Sequence, residues 1–339
     1  MYNMKLRIGL IGPGSFGYLH LNAYKKNENC ELIAVASRTE QHAKQAAEKF
    51  DIPNYYWDND WSKMFEKDSL DAVSICSPNY LHAHMCTEAI KNDINILCEK
   101  PICISEKELE GVEKMLKEKN LIFFSSFQRR YIRLFNHIKE IINKKVLGQL
   151  TLVRYFFSHY GPYTSWIPSS QEKWFFDSKK AGGGVLMDLG VHCIDILRYL
   201  IDEFEKVEGY SYATSSKDIK DEDNCNVLFR FKNGTAGIIS VSWCNEPMEQ
   251  IELYGTNGTL KLDLHSTEPI SVFPKKLKGN EFIQSAIEYR YKNDFFRSHL
   301  LLTNHFINCI LKGKQEHPDF NDGKRATEFV LKSYSLKKH

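Results

Sequence analysis

Apolar residues follow two different rhythms along this chain. In the first third, short continuous apolar runs alternate with segments whose apolar positions recur every three or four residues. KLRIGLIG (5–12), CELIAVAS (30–37), LDAVSICS (70–77), INILCEK (94–100) and LIFFSSF (121–127) have strand length and are rich in β-branched residues. Runs of that kind are strands buried on both faces. Between them, YLHLNAYKK (18–26), TEQHAKQAAEKF (39–50), WSKMFEKD (61–68), PNYLHAHMCTEAIKND (78–93) and SEKELEGVEKMLKEKN (105–120) read as helices, the last capped by Ser105 with Glu108 three residues on. The alternation predicts an α/β, doubly wound parallel sheet of the Rossmann type, which takes ligands at the carboxyl ends of its strands.

Beyond residue 127 the rhythm changes. A helix over 131–145, ended by Gly148, links to the candidate strands 149–159, 207–214, 225–232, 235–243, 250–255 and 258–264, with turn signals at Lys232-Asn233-Gly234 and Thr256-Asn257-Gly258. No helix intervenes over 207–264, so the pattern predicts an antiparallel meander rather than more parallel sheet. Stretches 295–313 and 323–335 are again helical. The expected organisation is a dinucleotide-binding domain over 1–127 and an α+β domain over 128–339 with a large, mostly antiparallel open sheet.

Composition narrows the classes. The chain has 339 residues, 42% hydrophobic and 26% charged, with a formal net charge of +2. That is ordinary globular composition, and it offers no electrostatic footprint for nucleic acid or an anionic membrane. No apolar run reaches the ~18 residues of a membrane span. The start MYNMKLRIGLIG lacks a signal-peptide layout, so a cytoplasmic location is expected. Nine cysteines, none in a C-x-x-C pair, read as buried reduced thiols.

The chemistry begins at Gly12-Pro13-Gly14-Ser15-Phe16-Gly17, a G-x-G-x-x-G between a strand and a helix. Gly12 permits the tight turn, Gly14 lets backbone approach a pyrophosphate, and Gly17 lets helix and strand pack closely. Gly12, Gly14, Ser15, Phe16 and Gly17 are therefore expected to hold a dinucleotide. After the second strand, where an NAD-binding chain commonly places Asp or Glu, stand Ser37 and Arg38. A hydroxyl and a guanidinium suit a 2′-phosphate, which favours NADP(H) over NAD(H); the alternative leaves Arg38 stacked on adenine or in solvent while NAD(H) binds. Two further strand ends carry Ser77-Pro78-Asn79 and Glu99-Lys100-Pro101. Finally, GGGVLMDLGVHCID (182–195) sets Asp188 and His192 one turn apart on an otherwise apolar helix. From the residues alone such a pair is a structural hydrogen bond or a catalytic one.

Taken in order, the glycine loop, SPNYLH (77–82), the EKP triplet (99–101), QRR (128–130) and G-G-G-x-L-x-D-x-G-x-H-x-x-D (182–195) resemble the glucose–fructose oxidoreductase / inositol dehydrogenase (Gfo/Idh/MocA) family over nearly the whole chain. The resemblance implies Lys100, Asp188 and His192 as catalytic residues, and Ser77, Asn79, Glu99 and Lys100 beside the cofactor. It also implies a sugar, cyclitol or polyol substrate and a homodimer or homotetramer built through the second domain's sheet. Trp174 falls where many relatives carry Trp-Arg near cofactor or substrate; here Phe175 follows, so the arginine contact is missing and Trp174 either walls the substrate pocket or is core. The aromatic segment 155–176 offers stacking surfaces for a sugar ring. Asp195 is left outside the catalytic set, as a partner of the pair or a structural group, and His82 as a brace for its loop.

The chemistry so implied is hydride transfer between a carbinol carbon and nicotinamide C4. His192 takes the proton, because imidazole titrates near neutrality. Lys100 stabilises the reacting oxygen, and Asp188 orients the imidazole or binds a neighbouring hydroxyl. No metal is required, and His82-Ala83-His84 points its two rings apart on a helix. Two rivals remain at this stage: a glycosidase that uses held NAD transiently, and a dinucleotide-sensing regulator without chemistry.

Overall fold

The computed structural model describes residues 5–164, 174–217, 219–275, 283–284 and 291–337. They form two compact units, Met1–Gln128 with Phe296–Thr327, and Arg129–Phe295 with Glu328–His339.

The first unit is built on six parallel strands: β1 (Leu6–Ile11), β2 (Cys30–Ser37), β3 (Asn54–Trp57), β4 (Ala72–Ile75), β5 (Asn95–Cys98) and β6 (Phe123–Ser125). Their spatial order is β3-β2-β1-β4-β5-β6, so the winding direction reverses between β1 and β4, and the crevice for a ligand opens at that point. The apolar runs are buried as expected, with Ile8, Leu10, Ala34, Val35, Val73, Ile75, Ile96 and Leu97 all at 0% exposure. The covering helices bury one stripe each. Helix Glu40–Phe50 turns in Ala43, Ala46, Ala47 and Phe50, the i, i+3, i+4, i+7 positions, and is capped by Thr39. Ser105 caps Glu106–Lys117 by accepting from the Glu108 amide, while the Glu108 carboxylate accepts from Ile104 N at 2.8 Å. Strand β3 carried no apolar run; NYYW is a half-exposed edge strand, which needs none.

The single cut expected after Phe127 assigns the C-terminal helices to the second domain, and here the structure differs. Residues 296–327 pack with the first unit because β6, an edge strand, leaves backbone groups and aromatic rings to be covered. Gln315 supplies both halves of an amide, its Oε1 accepting from Phe123 N at 2.8 Å and its Nε2 donating to Phe123 O at 3.1 Å. Pro318 O accepts from Ser125 N at 3.0 Å. Phe320 meets Phe123 edge-on with ring centroids 5.2 Å apart. The periodicity of helices Tyr291–Lys312 and Phe320–Tyr334 shows which face is apolar, not which sheet will receive it.

The second unit carries β7 (Leu150–Ser158), β8 (Phe204–Ala213), β9 (Asn224–Phe231), β10 (Ala236–Ser242), β11 (Met248–Gly255), β12 (Gly258–Asp263), β13 (Ile270–Pro274) and β14 (Ile283–Gln284). The order β14-β13-β12-β11-β7-β10-β9-β8 departs from the expected meander. The Asn-Gly signals do close hairpins β9–β10 and β11–β12. Between β10 and β11, however, the link Trp243–Pro247 has no such signal, and β7 inserts there, parallel to β10 and antiparallel to β11. One face of the sheet buries Val153, Phe229, Phe231, Ile239, Ile251 and Leu253. The segment carrying Asp188 lies against this face, over β7 and β10.

Candidate active site

In the first unit the expected cofactor residues gather at the carboxyl ends of β2, β1, β4 and β5, neighbours in the sheet. The three glycines have three different surroundings. Gly12 sits at φ +87°, and a Cβ there would stand 2.5 Å from the carbonyl oxygen of Cys76, at the end of β4. A Cβ on Gly17 would strike the Gly12 carbonyl oxygen, so this glycine sets how closely helix Ser15–Lys25 approaches β1. Around Gly14 nothing lies within 4 Å of that position. Gly14 is also the N-cap of the helix, with no side chain capping it and no acid in the first turn. Ser15 and Phe16 follow on the exposed surface. The result is a helix N-terminus of unopposed N–H groups behind open backbone, which suits the phosphates of a dinucleotide.

Ser37 closes β2, and Arg38 follows it, exposed. Beside β4, Ser77 has a buried Oγ with no hydrogen-bond partner among the described residues, a polar atom left for a ligand. Its carbonyl accepts from His82 Nε2 at 2.7 Å, while His82 Nδ1 lies 2.7 Å from Pro101 O. His82 thus ties the loop after β4 to the loop after β5, the bracing expected of it; Asn79 opens helix Asn79–Lys91.

Glu99 is more deeply engaged than the expectation of a cofactor contact implied. It is 7% exposed. Its Oε1 lies 3.1 Å from His20 Nε2 and accepts from Ser126 Oγ at 2.6 Å, while Oε2 accepts from Lys100 N at 3.2 Å. His20 Nδ1 in turn meets Ser74 Oγ, which meets the Tyr24 hydroxyl at 2.7 Å. Burial pushes the Glu99 carboxyl up, but the hydrogen bond and charge of His20, with the Ser126 hydroxyl, outweigh it and hold the group at about 2. Glu99 therefore anchors the backbone of Lys100, a half-buried residue at the carboxyl end of β5. His20, Ser74 and Ser126 carried no signal in sequence, because an isolated polar residue in an apolar run becomes informative only once its partner is known.

In the second unit, periodicity predicted one continuous helix over 185–200. The structure has a π-helical turn, Leu186–Gly190, followed by helix Val191–Leu200. Gly190 closes this turn, with the end of the Leu186 side chain packed over its Cα. Asp188 falls within the π turn and is half-buried; its Oδ2 accepts from Trp243 Nε1 at 3.1 Å. His192 lies in the first turn of the following helix at 6% exposure. Trp243, itself 1% exposed at the end of β10, was legible only as the last residue of a strand. Asp195 is 1% exposed and pairs with Arg130 through both oxygens, at 3.0 and 2.6 Å, as befits a structural group. Arg129 of the same QRR segment pairs with buried Glu249, which also accepts from the Tyr155 hydroxyl at 2.6 Å.

Trp174 opens a 3₁₀ turn, half-buried and stacked on Phe175 at 3.7 Å. Residues 165–173 of the aromatic segment lie outside the described residues. For a metal, the arrangements with suitable atoms among the described residues are His305–Cys309–Glu316 and His317–Asp319–Asp322, both in the first unit. Their groups already bond each other or serve a helix start: His305 to Glu316 at 2.9 Å, with Lys314 on the same carboxylate, and Asp319 Oδ1 accepting from Asp322 N.

Comparison with known proteins agrees with this architecture. A profile of the oxidoreductase family with NAD-binding Rossmann fold matches residues 6–127. That of the GFO/IDH/MocA C-terminal domain matches 135–261. The myo-inositol 2-dehydrogenase of Thermotoga maritima is 26% identical over 98% of this chain and 96% of its own. The levoglucosan dehydrogenase of Pseudarthrobacter phenanthrenivorans is 26% identical over 79% of this chain and 73% of its own. Among solved structures, the WlbA dehydrogenase of Bordetella pertussis, in complex with NADH and UDP-GlcNAcA, shares the fold at a TM-score of 0.88, 20% identity and coverage of 99% of this chain and 96% of that one. With an open glycine cradle at the switch point of a 3-2-1-4-5-6 sheet, and both family profiles matched in order along its length, the chain belongs to the Gfo/Idh/MocA family of NAD-binding oxidoreductases.

Proposed function

We propose that the protein is an NAD(P)-dependent dehydrogenase or reductase acting on a secondary alcohol or ketone of a sugar, cyclitol or polyol derivative, with Lys100, Asp188 and His192 as its catalytic groups. The observation that carries the reading lies on one edge of one sheet. The cradle at Gly12–Gly17 follows β1, and Lys100 follows β5, two strands along in the order β1-β4-β5. On this reading a cation at that strand end serves the crevice that the cradle opens. The relatives that act on inositol and levoglucosan support the substrate class.

When bound, the nicotinamide accepts or supplies a hydride. The chain's own groups handle the remaining charge and proton. Oxidation of a carbinol releases a proton, and His192 takes it as general base. Lys100 donates to the reacting oxygen and stabilises its developing negative charge. Asp188, held by the Trp243 indole, orients the imidazole or a neighbouring substrate hydroxyl. Gly12, Gly14, Ser15, Phe16 and Gly17 hold the phosphates, and Ser77 and Asn79 line the cradle's far side. Ser37 and Arg38 favour a 2′-phosphate, hence NADP(H) over NAD(H). The second sheet joins copies into a homodimer or homotetramer, and the protein works in the cytoplasm.

The test is absorbance at 340 nm with a panel of cyclitols, aldoses and ketoses, run with each cofactor in both directions. Sustained change with at least one substrate, strongest with the phosphorylated cofactor, is expected. Hydrolysis of an aryl glycoside without net cofactor change, or no turnover although NADH binding is measurable, would overturn the reading.

A further inference from the structure

The triple glycine at 182–184 is not explained by hydride transfer, and its surroundings point elsewhere in the second unit. A Cβ on Gly184 would strike the backbone carbonyl oxygen of Glu222, and one on Gly183, at φ +149°, would strike the Tyr334 hydroxyl. Only glycine lets the chain pass this close. Glu222 is 0% exposed. Its backbone oxygen accepts from Val185 N at 3.0 Å, and its Oε1 from Leu186 N at 3.3 Å. These are the first N–H groups of the segment that carries Asp188 and His192, and a helix start leaves such donors without intrahelical partners. A carboxylate placed there satisfies them and suits the positive end of the backbone dipoles. The carboxylate is in turn fixed from the far end of the chain: the Tyr334 hydroxyl donates to Oε1 at 2.7 Å, and Lys337 Nζ donates to Oε2 at 3.2 Å and to Asp221 at 3.1 Å. The neighbouring Tyr334 phenol is held neutral, since burial first and the Glu222 charge second push its ionisation well up.

We propose that Glu222 is a positioning residue: locked by Tyr334 and Lys337, it fixes the entry of the segment 185–192 and so the aim of Asp188 and His192. The inference rests on the catalytic reading of those two residues. On this account Gly183 and Gly184 exist to admit Tyr334 and Glu222, and residues 334–337 take part in setting the catalytic segment.

The test replaces Glu222 with Gln in the full chain and follows hydrogen exchange by mass spectrometry. Amides 185–192 should exchange at least ~10-fold faster, as expected for losing roughly 1.4 kcal/mol of local protection, while those in β11 and β12 keep the parent rate. The NMR titration of the His192 imidazole should move as well. With a substrate in hand, kcat should fall by about tenfold at saturating cofactor, with KM for cofactor unchanged. Exchange of 185–192 within twofold of the parent, or acceleration spread evenly over the unit with an unmoved His192 titration, overturns the proposal. Should Glu222→Gln not fold, Tyr334→Phe removes one lock on the same carboxylate and is read by the same criteria. A failure of the catalytic reading is seen separately, as a Lys100→Met enzyme that keeps its turnover; the exchange and titration results still decide the role of Glu222.

Discussion

Replacing Glu99 with Gln tests how firmly the Lys100 loop is anchored. The carboxylate is buried, meets His20, Ser126 and the Lys100 amide, and is held at about 2 against an ordinary 4.5. That difference corresponds to roughly 3 kcal/mol in favour of the ionised form in the folded protein. A folded-state pKa below the unfolded one means stability that is fully present above about pH 4.5 and is lost as the pH falls towards 2. Gln keeps the shape but not the charge, so the variant should lose most of this at pH 7. With about 2–4 °C per kcal/mol for a unit of this size, the melting temperature should drop by roughly 6–12 °C. At pH 3 the parent itself has surrendered over half of the contribution, so the gap between parent and variant should narrow to less than half. Scanning calorimetry at the two pH values measures both numbers. A drop below 2 °C at pH 7, or an equal gap at both pH values, would refute the anchoring role of the buried Glu99 carboxylate.

Four further substitutions separate roles that resemble one another. Gly14→Ala meets no atom and should leave thermal stability unchanged while weakening NADH binding, read by fluorescence, at least ~10-fold (about 1.4 kcal/mol); Gly17→Ala, which collides with the Gly12 carbonyl, should instead lower stability by about 1–3 kcal/mol. Arg130→Met strands the buried carboxylate of Asp195 and should lower stability by roughly 3–5 kcal/mol in urea titration; a loss under 1 kcal/mol would mean the pair is dispensable. Trp243→Phe keeps an aromatic ring, though a smaller one, and removes the donor to Asp188, worth about 1.5–3 kcal/mol to a charged acceptor. It should lower kcat/KM by about 10–100-fold without altering cofactor affinity, and an unchanged kcat/KM would disconnect Trp243 from the reaction.

What was legible in the sequence follows the range of the interactions. The parallel sheet could be read because each of its strands is a continuous apolar run and each helix buries a stripe, all local patterns. The glycine turn was equally local, and its three positions have the three surroundings the motif implies. The insertion of β7 between β10 and β11 is not local: β7 lies nearly eighty residues from β10, and hairpin signals describe only the turns they contain. The same limit hid the seating of 296–327 on β6, since an amphipathic helix does not name its sheet. Within the candidate site, Glu99, Lys100, Asp188 and His192 stood out by motif. Their supports, His20, Ser126, Trp243 and Glu222, did not, because a buried polar residue looks like an accident of composition until its partner is placed beside it. The π turn at Leu186–Gly190 was missed because its apolar spacing is the same as that of an α-helix over so short a stretch.

The most direct measurement is turnover of the Lys100→Met enzyme under saturating cofactor, with NADH binding measured alongside. The account predicts that binding stays within about threefold of the parent while turnover falls by about a thousandfold or more, the mark of an interaction made in the transition state rather than with the cofactor. Turnover within about tenfold of the parent, with cofactor still bound, would contradict it.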